Sequence, residues 1–196
     1  MLWLQGRPVG HQFSGLIRRQ PEPVRESELM ASITLNSSEI SSNPIELIEQ
    51  IVVAHDWPFD RFGEEELTVS VPGSWCEYHL CFSWRADYQA MQLSCAFDIR
   101  VPKERHPEIF DLVARANEQM WIGHFDIWVA QGVPMFRHTL LLRGGLGATS
   151  DQCEDLINIA VTESERFFPA LQFVLWGGKT PQEAIATAMM EAVGNA

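Results

Sequence analysis

The sequence predicts an α+β fold, a five-stranded antiparallel sheet with helices on one face, in the order α-β-β-β-α-β-β-α-α. Three observations predict it. Apolar and polar residues alternate with period two in short runs, and the cleanest run has a polar second face, the mark of an antiparallel sheet covered on one side. Four other segments carry apolar residues at helical spacing and open on Pro or a capping residue. The strands pair through hairpins, apart from one helical crossover. A chain of 196 residues, 46% hydrophobic, buries a core without disulfides or metal.

Residues 1–42 are expected to form a disordered or poorly ordered N-terminal arm, and residues 43–196 a single domain. Residues 1–29 hold four Arg and three Glu around Pro21-Glu22-Pro23, with no periodicity; Ser and Asn dominate 31–42. Met30 is a candidate alternative start. The first helix opens with Asn43 as N-cap, Pro44 at the first position and Glu46 in the first turn. Leu47, Ile48, Ile51, Val52 and His55 follow helical spacing until Trp57-Pro58. The strands are then expected at Leu67-Val69-Val71, at Cys76 to Trp84, and at Met91 to Val101. Residues 86–89 close a hairpin between the last two.

A second helix starts at His106-Pro107, with Ile109, Leu112, Val113, Ala116 and Met120 on one stripe, and ends near Gly123. Strands from Phe125 to Ala130 and Met135 to Arg143 flank a tight turn at Gln131-Gly132. The third helix opens on a capping box of Thr149 and Gln152, and Pro169 interrupts or kinks it. The last helix has Thr180 as N-cap, Pro181 next and Glu183 third, with Ile185, Ala188, Met189 and Ala192 facing inward.

Charge excludes whole classes of partner. With 14 Lys+Arg against 26 Asp+Glu the formal net charge is −12. Residues 1–29 account for four of the basic and three of the acidic residues, leaving 10 against 23, or −13, on the remainder. Such a surface disfavours nucleic acid and anionic membrane. No run approaches the ~18 apolar residues of a membrane span, and the N-terminus has no signal-peptide h-region. Cys76, Cys81, Cys95 and Cys153 lack metal-site spacing and read as core thiols of a cytoplasmic protein.

No catalytic or cofactor motif stands. Gly144-Gly145-Leu146-Gly147 lies between strand and helix, but Ala148 occupies the place of the P-loop Lys, and the dinucleotide fingerprint needs a parallel unit. His106-Pro107-Glu108 matches half of a deaminase site whose two further cysteines are missing, and reads as a helix start. Gly73-Ser74-Trp75 reads as a turn, not a nucleophile elbow. A dyad of Cys95 with His79 or His138 would put the thiol on the core face. Glu64-Glu65-Glu66 reads as a solvated run. The positive signal is aromatic. Seven tryptophans exceed what core periodicity uses, and Trp57, Phe59, Phe62, Trp121 and Trp128 are the candidate protein-interaction residues. Trp128 falls on the face opposite Phe125, Ile127 and Val129.

The run from Arg166-Phe167-Phe168-Pro169 through Trp176-Gly177-Gly178 and Thr180-Pro181 to Ala184 resembles the YbjN-like family of bacterial sensory transduction regulators. The Arg137-His138-Thr139-Leu140 strand leading into Arg143-Gly144-Gly145 resembles it too. The resemblance covers roughly residues 40–196. It implies a fold similar to type III secretion chaperones and an acidic, cytoplasmic, dimeric protein with no catalytic residues to carry over. The expected function is a non-enzymatic interaction module, chaperone-like or regulatory, acting as a homodimer on a protein or peptide client. The alternative is a small-molecule sensor or enzyme with a pocket between helices and sheet, gathering His79, His124 or His138 beside a carboxylate.

Overall fold

A computed structural model describes residues 43–144 and 147–194, with side chains through 188. The expected N-terminal arm, Gly145-Leu146 of the glycine loop, and the inward facing of Met189 and Ala192 lie outside the described residues. The elements are α1 (Pro44–Ala54), β1 (Phe59–Phe62), β2 (Glu66–Pro72), β3 (Glu77–Arg85), β4 (Ala90–Ala96), α2 (His106–Asn117), β5 (His124–Trp128), β6 (Val133–Leu141), α3 (Ser150–Leu175) and α4 (Pro181–Gly194). A short 3-10 turn at Lys103–Arg105 leads into α2.

The six strands form one sheet in the order β1-β2-β3-β4-β6-β5, and every neighbouring pair is antiparallel. The α+β class and the antiparallel sheet stand as the sequence predicts, but the count of five strands is corrected to six. The addition is β1. Its sequence Phe59-Asp60-Arg61-Phe62 has apolar residues three apart, which matches neither strand face, so periodicity is silent there. Backbone pairing with β2 makes it a strand: Phe59 opposes Val69 and Phe62 opposes Glu66 around the Gly63–Glu65 turn.

One face of the sheet is core. Leu67, Val69 and Val71, then Tyr78, Leu80, Phe82 and Trp84, then Met91, Leu93 and Cys95 alternate inward and are buried. Helices α1, α2 and α3 lie against the sheet, and α4 packs on α2 and α3. The expected long fourth strand ends at Ala96, not Val101. Phe97 and Val101 are still buried, and they hold to the chain around β6 through Phe97 N–H to the Pro134 carbonyl (3.2 Å) and Val101 N–H to the Gly132 carbonyl (2.7 Å). Phe97 then joins the ring cluster of Tyr78, Phe125, Phe167 and Phe168 at centroid distances of 5.9–6.3 Å. Phe125 stacks on Phe167 at 4.1 Å.

The helix boundaries follow the capping chemistry. The Asn43 side chain accepts from Ile45 N–H at 3.0 Å, and His55 is the exposed C-cap of α1, not part of its buried stripe. The Thr149–Gln152 box is formed in both directions, at 3.2 and 3.0 Å. Helix α3 runs unbroken through Pro169, which is buried. Thr180 and Glu183 clasp the start of α4, and that contact holds the Glu183 carboxyl below its ordinary pKa.

Candidate interaction surface

The core fills the space where a ligand pocket was expected as the alternative. Between α2, α3, α4 and β5 the structure leaves a cavity of about 20 Å³, lined by Phe125, Phe167, Ala170 and Ala188 among others. That is room for one water. The three histidines are not gathered. His79 lies on the face of β3 opposite the helices, its Nδ1 3.2 Å from Ser70 Oγ, and His138 points to the helix-covered face from β6. Burial, then neighbouring His124, holds His138 below its ordinary pKa. The Ser70–His79 pair is part-buried. Among the described residues no group of three His, Cys, Asp or Glu side chains is placed to hold a metal ion.

The remaining sequence candidates for chemistry are used structurally. His106 is buried with Nε2 3.3 Å from the Val101 carbonyl, and Glu108 pairs with Arg105 at 2.6 Å, so the half-deaminase motif anchors the start of α2. All four cysteines are free thiols. Burial pushes Cys95 and Cys153 up to about 12 and Cys81 up to about 11, and it raises Cys76 as well, so none is poised as a thiolate. Cys81 opposes Ser94 whereas Cys95 opposes Leu80 and Phe136, which puts the two thiols on opposite faces. In the Gly73–Cys76 loop, Glu165 of α3 accepts from Ser74 N–H at 2.6 Å and Trp75 stacks on Phe168 at 6.3 Å. That loop is a clasp on α3.

The outer face of the sheet, opposite the helices of the described residues, can be read row by row from the register, because directly opposed residues share a face. One row runs Asp60, Thr68, Cys81, Ser94, Arg137, His124 from β1 across to β5. Its neighbour on one side runs Phe62, Glu66, Ser83, Gln92, Thr139; on the other lie Ser70, His79, Ala96, Met135 and Asp126. The centre is small and neutral. The acids Asp60 and Glu66 lie at the β1–β2 side, and Arg137, paired with Asp126 at 2.9 Å, lies with His124 at the β6–β5 side.

The five candidate aromatics fall in three places. Trp57 stacks on His55 at 4.4 Å and packs at the core margin, and Phe59 does so from the helix-covered side of β1. Phe62, 60% exposed, and half-buried Trp128 belong to the face opposite the helices, at its two edges. Trp121 is 100% exposed in the segment between α2 and β5, beside exposed Ile122. Sequence reasoning did not single out Leu141, 72% exposed, Tyr88 or Trp176. The signal for Leu141 was strand parity, which puts it on the face of Arg137 and Thr139.

The fold defines a class: an α+β domain whose described residues place the helices on one side of a six-stranded antiparallel sheet. Within that class, the family model described as "Putative bacterial sensory transduction regulator" matches residues 44–173, and the chain belongs to that family, YbjN. Neither the curated proteins nor the solved structures hold a match to it. No helix among the described residues is long and apolar enough to cross a membrane.

Proposed function

We propose that the protein is a non-enzymatic regulatory binding module of the bacterial cytoplasm, a homodimer that holds an extended protein or peptide client. The observation that carries this reading is Trp121, a fully exposed indole on a domain whose described residues leave a cavity of about 20 Å³ between the helices and β5. Docking a side chain of roughly 200 Å² removes about 5 kcal/mol worth of apolar surface from water, a typical anchor for a partner. The regulator family supports it, as do the one-sided sheet and acidic charge, which suit a chaperone-like architecture of the type III secretion kind.

The test is capture from the native host with the tagged full chain and quantitative mass spectrometry. Wild type is expected to enrich a protein client, and Trp121→Ala, folded to the same melting temperature, to retain about a tenth of it or less. A wild-type bait that recovers nothing above background under mild conditions overturns the reading. So does a client held equally by both baits.

A further inference from the structure

We infer that the end of β6 is the contact between two copies of this chain, each pairing antiparallel with the same segment of the other about a two-fold axis normal to the sheet. This deepens the homodimer reading above and rests on it. The fold leaves backbone groups unpaired at that point. Strand β6 runs to Leu141, but β5 opposes it only over Val133 to Arg137, because the chain before His124 departs from the strand at Gly123, where φ is +72°. Even-numbered residues of β6 bond to β4. That pairing runs from Phe97 N–H on the Pro134 carbonyl at one end to Leu142 N–H on the Gln89 carbonyl (2.8 Å) at the other. Odd-numbered residues bond to β5, since Phe125 turns its own N–H and carbonyl away from β6 to Asn117. The N–H and C=O of Thr139 and Leu141 therefore point out of the sheet edge just beyond β5, and among the described residues nothing bonds them there. Both side chains are exposed, Leu141 to 72%.

Three features select a second copy as the occupant. The first is length. A strand laid along this stretch is stopped where β5 begins, so the stretch admits the end of a strand rather than one that runs through. β6 is such an end: it stops at Leu141 and turns at Arg143–Gly144, where the φ of Gly144 is +81°. The second is hydrogen bonding. With Thr139 opposite the partner's Leu141, and Leu141 opposite the partner's Thr139, four backbone bonds form and the free N–H and C=O groups of both residues are used in both copies. A two-fold normal to the sheet keeps each residue on its own face, so this register breaks no parity. The third is charge. His138-Thr139-Leu140-Leu141 holds no carboxylate, so the contact sets no acid against its own copy on a chain of −12. Other stretches of edge are guarded, by Asp60 and Arg61 on β1 and by Asn117 and Asp126 on β5.

Sedimentation equilibrium of the full chain tests this, with Thr139→Pro, Thr139→Val and Leu141→Lys. Thr139→Pro removes the N–H that faces the second copy and spares the bonds to β4, which His138 and Leu140 make. Wild type is expected to be dimeric at about 100 μM, and Thr139→Val, which keeps the N–H, to match it within about threefold. Thr139→Pro is expected to raise the dissociation constant at least about tenfold, because the two-fold loses that bond twice. Leu141→Lys, at an exposed position, is expected to do the same, since it sets a solvated charge on the edge. If Thr139→Pro fails to fold, Leu141→Lys still decides. Leu140→Cys is expected to link the two copies covalently under mild oxidation, because the pairing sets the two Leu140 Cα atoms about 4.5 Å apart. A wild type that stays monomeric overturns this contact and the homodimer reading together, and leaves the end of β6 to a client strand. A dimer that Thr139→Pro and Leu141→Lys leave intact, or that Leu140→Cys does not link, overturns the contact alone.

Discussion

At the scale of single residues, the buried thiols carry a pH signature. Cys95 is fully buried and accepts from the Ser164 hydroxyl at 3.4 Å, yet desolvation dominates and its pKa rises to about 12. An unfolded thiol titrates near 8.5. A folded pKa above the unfolded one means the stabilisation is fully present below about pH 8.5 and is lost as pH climbs toward 12. Cys153 and Cys81 act in the same direction. Urea unfolding is expected to show stability falling from pH 9 to pH 11, and Cys95→Ala, weaker at pH 7, to fall less steeply; equal slopes would assign the loss elsewhere. Gly132 is the other decisive residue. Its φ is +67°, and a Cβ there would lie 2.4 Å from the Val101 carbonyl oxygen, a backbone atom that cannot swing aside. Gly132→Ala is expected to cost about 1–3 kcal/mol, read as a lower urea midpoint at unchanged m-value.

At the scale of elements, the edge strand β5 is plugged. The Phe125 N–H donates to Asn117 Oδ1 at 2.7 Å, and Asn117 Nδ2 donates to the Phe125 carbonyl at 3.0 Å. The Ile127 N–H turns to the Asp126 carboxylate at 2.8 Å. One side chain at the end of α2 thus does what another strand would do, and it keeps the sheet from growing at this edge. Asn117→Ala is expected to cost about 1–3 kcal/mol and to raise turbidity on heating, whereas Asn117→Asp keeps the acceptor and should lose less. None of this was legible in the sequence, because Asn117 differs in no local way from any helix-end Asn. The strands β2 to β6 were legible because one buried face imposes period two on them. β1 was not, since its two Phe, three residues apart, fall on opposite faces and only pairing with β2 defines it. The aromatic surplus was legible as a count. Parity placed Trp128 correctly opposite Phe125 and Ile127, but the full exposure of Trp121 and the core packing of Phe59 follow from where the helices lie.

At the scale of the whole molecule, the net charge of −12 opposes the homodimer proposed above, and it does so over a definite range. Repulsion between two acidic copies acts over the Debye length, about 30 Å at 0.01 M salt and about 8 Å at 0.15 M. A contact between two copies acts at a few ångströms, inside either length. Raising sodium chloride from 10 to 150 mM should therefore tighten the proposed dimer severalfold, opposite to the weakening expected for an interface held by exposed ion pairs alone. Sedimentation equilibrium of the full chain at both salt concentrations reads this directly: a dissociation constant that rises with salt would mean that ion pairs across the contact, and not net charge, govern self-association.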